Sequence, residues 1–86
     1  MKIWKYELRV DDRLTVIMPR GARILSVGVQ GKTICLWAMV NPETAEQELR
    51  IIAIYGTGNP LPEDPGTFIG TVQTPPFVWH VFEVPA

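Results

Sequence analysis

The feature that most constrains this chain is a two-residue alternation of apolar and polar side chains, interrupted at short intervals by Gly, Pro, Asn or Asp. Residues 2–10 place Trp4, Tyr6, Leu8 and Val10 on one side and Lys5, Glu7 and Arg9 on the other, the period of a half-buried strand. Asp11-Asp12 breaks the pattern, and Leu14, Val16 and Met18 resume it up to Pro19. A second strand joined to the first by a tight hairpin is the simplest expectation. After Pro19-Arg20-Gly21, residues 23–29 set Leu25, Val27 and Val29 on one face and the small Ser26 and Gly28 on the other. That thin face leaves room for another backbone or a bulky aromatic side chain.

Gln30-Gly31 supplies the positive-φ residue of a short hairpin turn, and residues 33–40 follow with apolar side chains on both faces. Such a strand belongs in the middle of a sheet, covered on both sides. Residues 41–47 are polar and hold at most one helical turn, with Pro42 after an Asn41 cap. Residues 48–55 are again apolar on both faces and predict a second central strand. The 56–66 segment, with three prolines and three glycines in eleven residues, is neither helix nor regular strand and is the longest loop. Loops of this length often carry function. A short strand at 68–73, a break at Thr74-Pro75-Pro76 and a last strand at 77–84 complete the chain. In the last strand Phe77, Trp79 and Val81 oppose Val78, His80 and Phe82.

Seven strand candidates and no amphipathic window of about ten residues predict one all-β domain over residues 1–86, a small antiparallel β-sandwich or barrel. Composition narrows the function classes. Apolar residues are 47% and charged residues 20% of the chain, so it folds. Eight basic against nine acidic side chains, without a run of either sign, disfavour a nucleic-acid surface. The longest apolar stretch, 34–40, is far short of the roughly 20 residues of a membrane helix, and residues 1–8 lack the apolar core of a signal peptide. Cys35 is the only cysteine, which rules out an intrachain disulfide and a thiolate metal cage and fits a reducing cytoplasm. A cytoplasmic protein without membrane or nucleic-acid partners is the expectation.

Few residues offer chemistry. His80 is the single histidine, and in an apolar strand a hydrogen-bonded or solvated imidazole is the simpler reading than a general base. Glu83, three positions on, points to the opposite face of a strand and makes no dyad with it. Cys35 sits among Ile34, Leu36 and Trp37 and reads as a buried thiol rather than a nucleophile. Glu63-Asp64 is too small a ligand set for a hard cation, and Gly56-Thr57-Gly58-Asn59 lacks the helix and lysine of a phosphate loop. No cofactor, metal or catalytic set is expected, and the chain reads as non-enzymatic. Aromatics on both faces of the last strand point instead to an apolar contact surface. Tyr55, Thr57, Asn59, Trp79, His80 and Phe82 are its candidate contact residues.

Taken together, the segments 18–27 (MPRGARILSV), 35–38 (CLWA), 55–58 (YGTG), 68–71 (FIGT) and 77–83 (FVWHVFE) resemble a family of small uncharacterised phage and prophage proteins. The resemblance implies a viral or mobile-element origin and transfers no mechanism. The expectation is a phage accessory protein that binds a host or phage protein through an apolar sheet face or edge, in the host cytoplasm, as a homo-oligomer. The alternative is a binder of a small ligand, a nucleotide or metabolite, with its pocket near the 56–66 loop.

Overall fold

The structure, a computed structural model, describes residues 1–85. It contains β1 (Lys2–Leu8), β2 (Arg13–Pro19), β3 (Arg23–Gln30), β4 (Thr33–Val40), β5 (Gln47–Gly56), β6 (Thr67–Thr74) and β7 (Phe77–Val84). All pairings are antiparallel. The strands form a three-stranded sheet of order β1-β4-β3 and a four-stranded sheet of order β2-β5-β7-β6. This is the all-β architecture that the alternation predicts. The strands apolar on both faces, β4 and β5, occupy interior positions, as does β7.

One expected connection does not form. β1 pairs with β4 and β2 with β5, so residues 9–12 carry the chain from one sheet to the other instead of closing a hairpin. Val10, expected to extend the apolar face of the first strand, lies in that crossing and is 52% exposed. A period-two pattern reports that a segment has a buried face; it is silent about which sheet the segment joins. The face assignment in β3 also changes. A register shift between Ile24 and Ser26 turns Ile24 and Val27 toward the core and leaves Leu25 outside, because one extra residue inverts the alternation. The thin face is used as expected: the Trp37 ring stands 3.2 Å from where a Cβ on Gly28 would be. Gly31, at φ +64°, makes the β3–β4 turn.

Leu36, Ala38 and Val40 of β4 meet Ile52 and Ile54 of β5, Met18 of β2 and Val81 of β7 in one core. On one side β3 lies against β6. Gly70 permits that approach, since a Cβ there would be 2.9 Å from Val27 Cγ1. On the other side β1 and β2 are edge strands not bonded to each other.

One end of the sandwich is held by Arg50. Its side chain, 17% exposed, donates from Nε and Nη2 to the Glu83 carboxylate at 2.5 and 3.0 Å and from Nη1 to the Ala22 carbonyl at 2.7 Å. Hydrogen bonding to Glu83 raises the guanidinium pKa against the opposing effect of burial. The Ala22 bond fastens the turn by which the chain passes from β2 to β3, across the two sheets. Arg50→Met should cost about 2 kcal/mol, because it strands the Glu83 carboxylate and the Ala22 carbonyl in a half-buried site. Urea denaturation reads this loss as a lowered midpoint with unchanged slope; an unchanged midpoint would show that the clamp is dispensable.

Tyr6, on the inner side of β1, has a shielded hydroxyl with no hydrogen-bond partner, and burial raises its pKa. The folded chain therefore favours the neutral phenol. That contribution is complete below the ordinary tyrosine value of about 10 and is lost as pH rises through the folded value, where the unfolded chain gives up its proton first. Tyr6→Phe should flatten the alkaline fall in stability and add about 1 kcal/mol at neutral pH by deleting an unsatisfied buried group. A destabilised variant with the same alkaline fall would contradict this.

Candidate binding surface on the four-stranded sheet

The long loop exists for a topological reason. β5 and β6 both pair antiparallel with β7, so they run parallel to each other, and their connection must return along the sheet. The ladders show the span: Gly56 sits opposite Trp79 at one end of the shared run, while Thr67 sits opposite Glu83 at the other. Residues 57–66 make this return as a strap with no helix. Gly58 takes φ +88° as the strap leaves β5, and Gly66 takes φ +97° as it enters β6. A Cβ on Gly66 would collide with the Glu83 carbonyl, so that entry requires glycine. Asp64 Oδ1 accepts the Gly66 N–H at 3.1 Å, which accounts for one of the two loop acids as turn chemistry.

The strap borders a pocket of about 320 Å³ in which Asn59 and Leu61 stand beside Tyr55, Phe68, His80 and Phe82. The aromatic floor follows from register. Phe82 lies opposite Phe68 on β6 and Ala53 on β5, and Tyr55 lies opposite His80. The Phe82 ring makes edge contacts with Tyr55 at 5.9 Å and Phe68 at 5.4 Å between centroids, the geometry that aromatic quadrupoles favour.

His80 is held at both ring nitrogens. Thr57 Oγ1 lies 2.8 Å from Nε2 and Thr71 Oγ1 lies 2.9 Å from Nδ1. In a neutral imidazole one nitrogen donates and the other accepts, and a threonine hydroxyl serves either role. The distance from Thr57 to Nε2 is that of a nucleophile and its base, but the second nitrogen meets a hydroxyl, and no carboxylate is there to stabilise an imidazolium. No Lys, Arg, Asp or Glu lines the pocket. The arrangement suits an uncharged apolar or aromatic group that makes one or two hydrogen bonds. Among the described residues no three of His, Cys, Asp and Glu come together as a metal site.

Beyond the pocket the same outer face continues as apolar rows. Ile17 lies opposite Leu49, and Ile51 lies between Thr15 and Val84. Ile17, Leu49 and Phe68 are 59%, 58% and 56% exposed. Arg13, opposite Ala53, marks the β2 margin of the face.

Of the residues singled out in the sequence, Tyr55, Thr57, Asn59, His80 and Phe82 line this pocket. Trp79 does not. It turns to the inner face, packs against the core and donates from Nε1 to Thr74 Oγ1 at 2.7 Å. Its alternation with His80 and Phe82 already puts it on the other side of the strand. Sequence pattern misses Leu61, Phe68 and Thr71. The bulge between Phe68 and Gly70 sets Phe68 against Phe82 and Thr71 against His80, and no period-two count reveals such a bulge. Cys35 is buried and free, its Sγ 3.6 Å from the Thr33 carbonyl.

Comparison with known proteins places the chain without assigning it a role. A family model described as a domain of unknown function, DUF7352, matches residues 1–86. No curated protein and no solved structure matches. The match bears out an uncharacterised family and carries no statement of phage or prophage origin.

Proposed function

The chain belongs to the DUF7352 family, and from that premise we propose that it is a non-enzymatic binding domain that docks another protein on the outer face of its four-stranded sheet. The observation that carries this reading is the row of exposed Ile17, Leu49 and Phe68 continuous with half-buried Ile51, Tyr55, Phe82 and Val84. Isolated apolar side chains are ordinary on a surface, but a contiguous patch is a contact site. The shape adds weight. The Cα envelope is only 16 Å thick, and the accessible surface of 5679 Å² exceeds the roughly 5,100 Å² usual for a monomer of this mass. In the proposed setting the partner is a phage or host protein in the host cytoplasm, which rests on the resemblance of segments 18–27, 35–38, 55–58, 68–71 and 77–83 and on the single free cysteine. Within the docking face the aromatic pocket is the natural seat for a partner's anchor residue.

A Leu49→Glu/Phe68→Glu variant puts two charges into the centre of the face without touching the core. It should keep the urea midpoint within about 0.5 kcal/mol of the parent and bind the captured partner at least about a hundredfold more weakly by calorimetry. Undiminished binding by the folded variant would refute the docking face.

The pocket favours a second reading, in which Tyr55, Phe68 and Phe82 hold a small uncharged aromatic ligand against His80 and Asn59. Its volume lies at the lower end of small-molecule sites, and its lining is mostly apolar with a few convergent polar groups. Thermal-shift screening of nucleosides and aromatic metabolites tests it. A ligand at a hundred times its Kd should add about 2.7 kcal/mol of stability, an effect that His80→Ala should reduce; no shift with any compound would remove this reading.

A further inference from the structure

We propose that two copies of this chain associate by antiparallel pairing of their β1 strands about a two-fold axis at Tyr6. β1 is an edge of the three-stranded sheet, and among the edges it is the least protected. β3 and β6 each carry a bulge and lie against each other, and β2 ends in Pro19; both are devices that discourage pairing. β1 runs in unbroken register along β4, and its Ile3 and Trp4 are 62% and 40% exposed. Trp4 lies on the same side of the strand as core residue Leu8, opposite buried Ala38, so the sandwich is open to solvent where this side chain stands.

Charge selects the partner and the register. A two-fold axis perpendicular to the sheet keeps each residue on its own face, so only axes centred on a residue are allowed. With the axis at Lys5 or at Glu7, that charged side chain meets its own copy, and like charges directly opposite are destabilising. With the axis at Tyr6, Lys5 of one copy faces Glu7 of the other, twice by symmetry, and Trp4 faces Leu8 across the inner side. Lys5 and Glu7 already lie on one face, 4.0 Å apart and largely exposed, so the second copy completes a four-charge square. The strand is its own electrostatic complement, which a second copy satisfies without any further component. The result is one continuous sheet of six strands with Trp4 covered at its centre.

Sedimentation over a concentration series tests this with Lys5→Glu and Glu7→Lys, exposed substitutions whose folding is checked by circular dichroism. The wild type should dimerise, and each variant alone should dimerise about tenfold more weakly or worse. An equimolar mixture of the two variants should recover the wild-type constant, because every cross-strand pair is then Glu with Lys, and native mass spectrometry should show the heterodimer. A wild type that stays monomeric, single variants that dimerise as the wild type does, or a mixture no tighter than its components would each overturn the proposal. The Leu49→Glu/Phe68→Glu variant separates this edge from the docking face. It should leave the dimer constant unchanged, and a dimer lost in that variant would place the contact on the outer face and overturn the β1 pairing.

Discussion

A four-stranded sheet has two faces, and the three-stranded sheet of this domain covers one of them. β5 and β7 carry apolar residues on both sides, so burying Ile52, Ile54 and Val81 leaves Ile51, Tyr55, Phe82 and Val84 facing outward. Among the described residues there is no helix and no further strand with which to close that side. The strap of residues 57–66 reaches only one end of it, and Leu61 is itself 52% exposed. Apolar area left in water is unfavourable by about 25 cal/mol per Å², and that uncovered face is what a docked partner would relieve.

The strap and the pocket follow from strand order. Because β7 lies between β5 and β6, the connection between those strands must travel back along the sheet, and a proline-rich segment does so without competing as helix or strand. Its passage brings Asn59 and Thr57 to a histidine already paired with Thr71. The chemistry of His80 is thereby that of a fixed hydrogen-bonding group among aromatic rings. Arg50 has the complementary task at the far end, where it ties the β2–β3 turn to β5 and β7. Polar groups hold the ends, and the middle of the outer face remains apolar.

Much of the fold is legible in the sequence because strand burial has a period of two. The positions of seven strands, the interior places of β4 and β5, the glycine turn at Gly31 and the contact of Trp37 with Gly28 all follow from side-chain size and alternation. Pairing is not legible. The chain leaves one sheet for the other between β1 and β2 and again between β2 and β3, and local pattern is the same whether the next strand is a neighbour or lies across the core. The bulges in β3 and β6 each hide one face inversion, so alternation alone groups Leu25 with Val27 and does not bring Phe68 to Phe82. The loop points to the pocket through its composition, whereas Thr71 carries no signal apart from tertiary register.

Native mass spectrometry of the tagged protein, gently purified from its own host, tests the docking face most directly. A second polypeptide should be retained with the wild type and absent from the folded Leu49→Glu/Phe68→Glu variant. The wild type recovered as this chain alone, or carrying only a small-molecule adduct that raises its mass, would contradict the docking face.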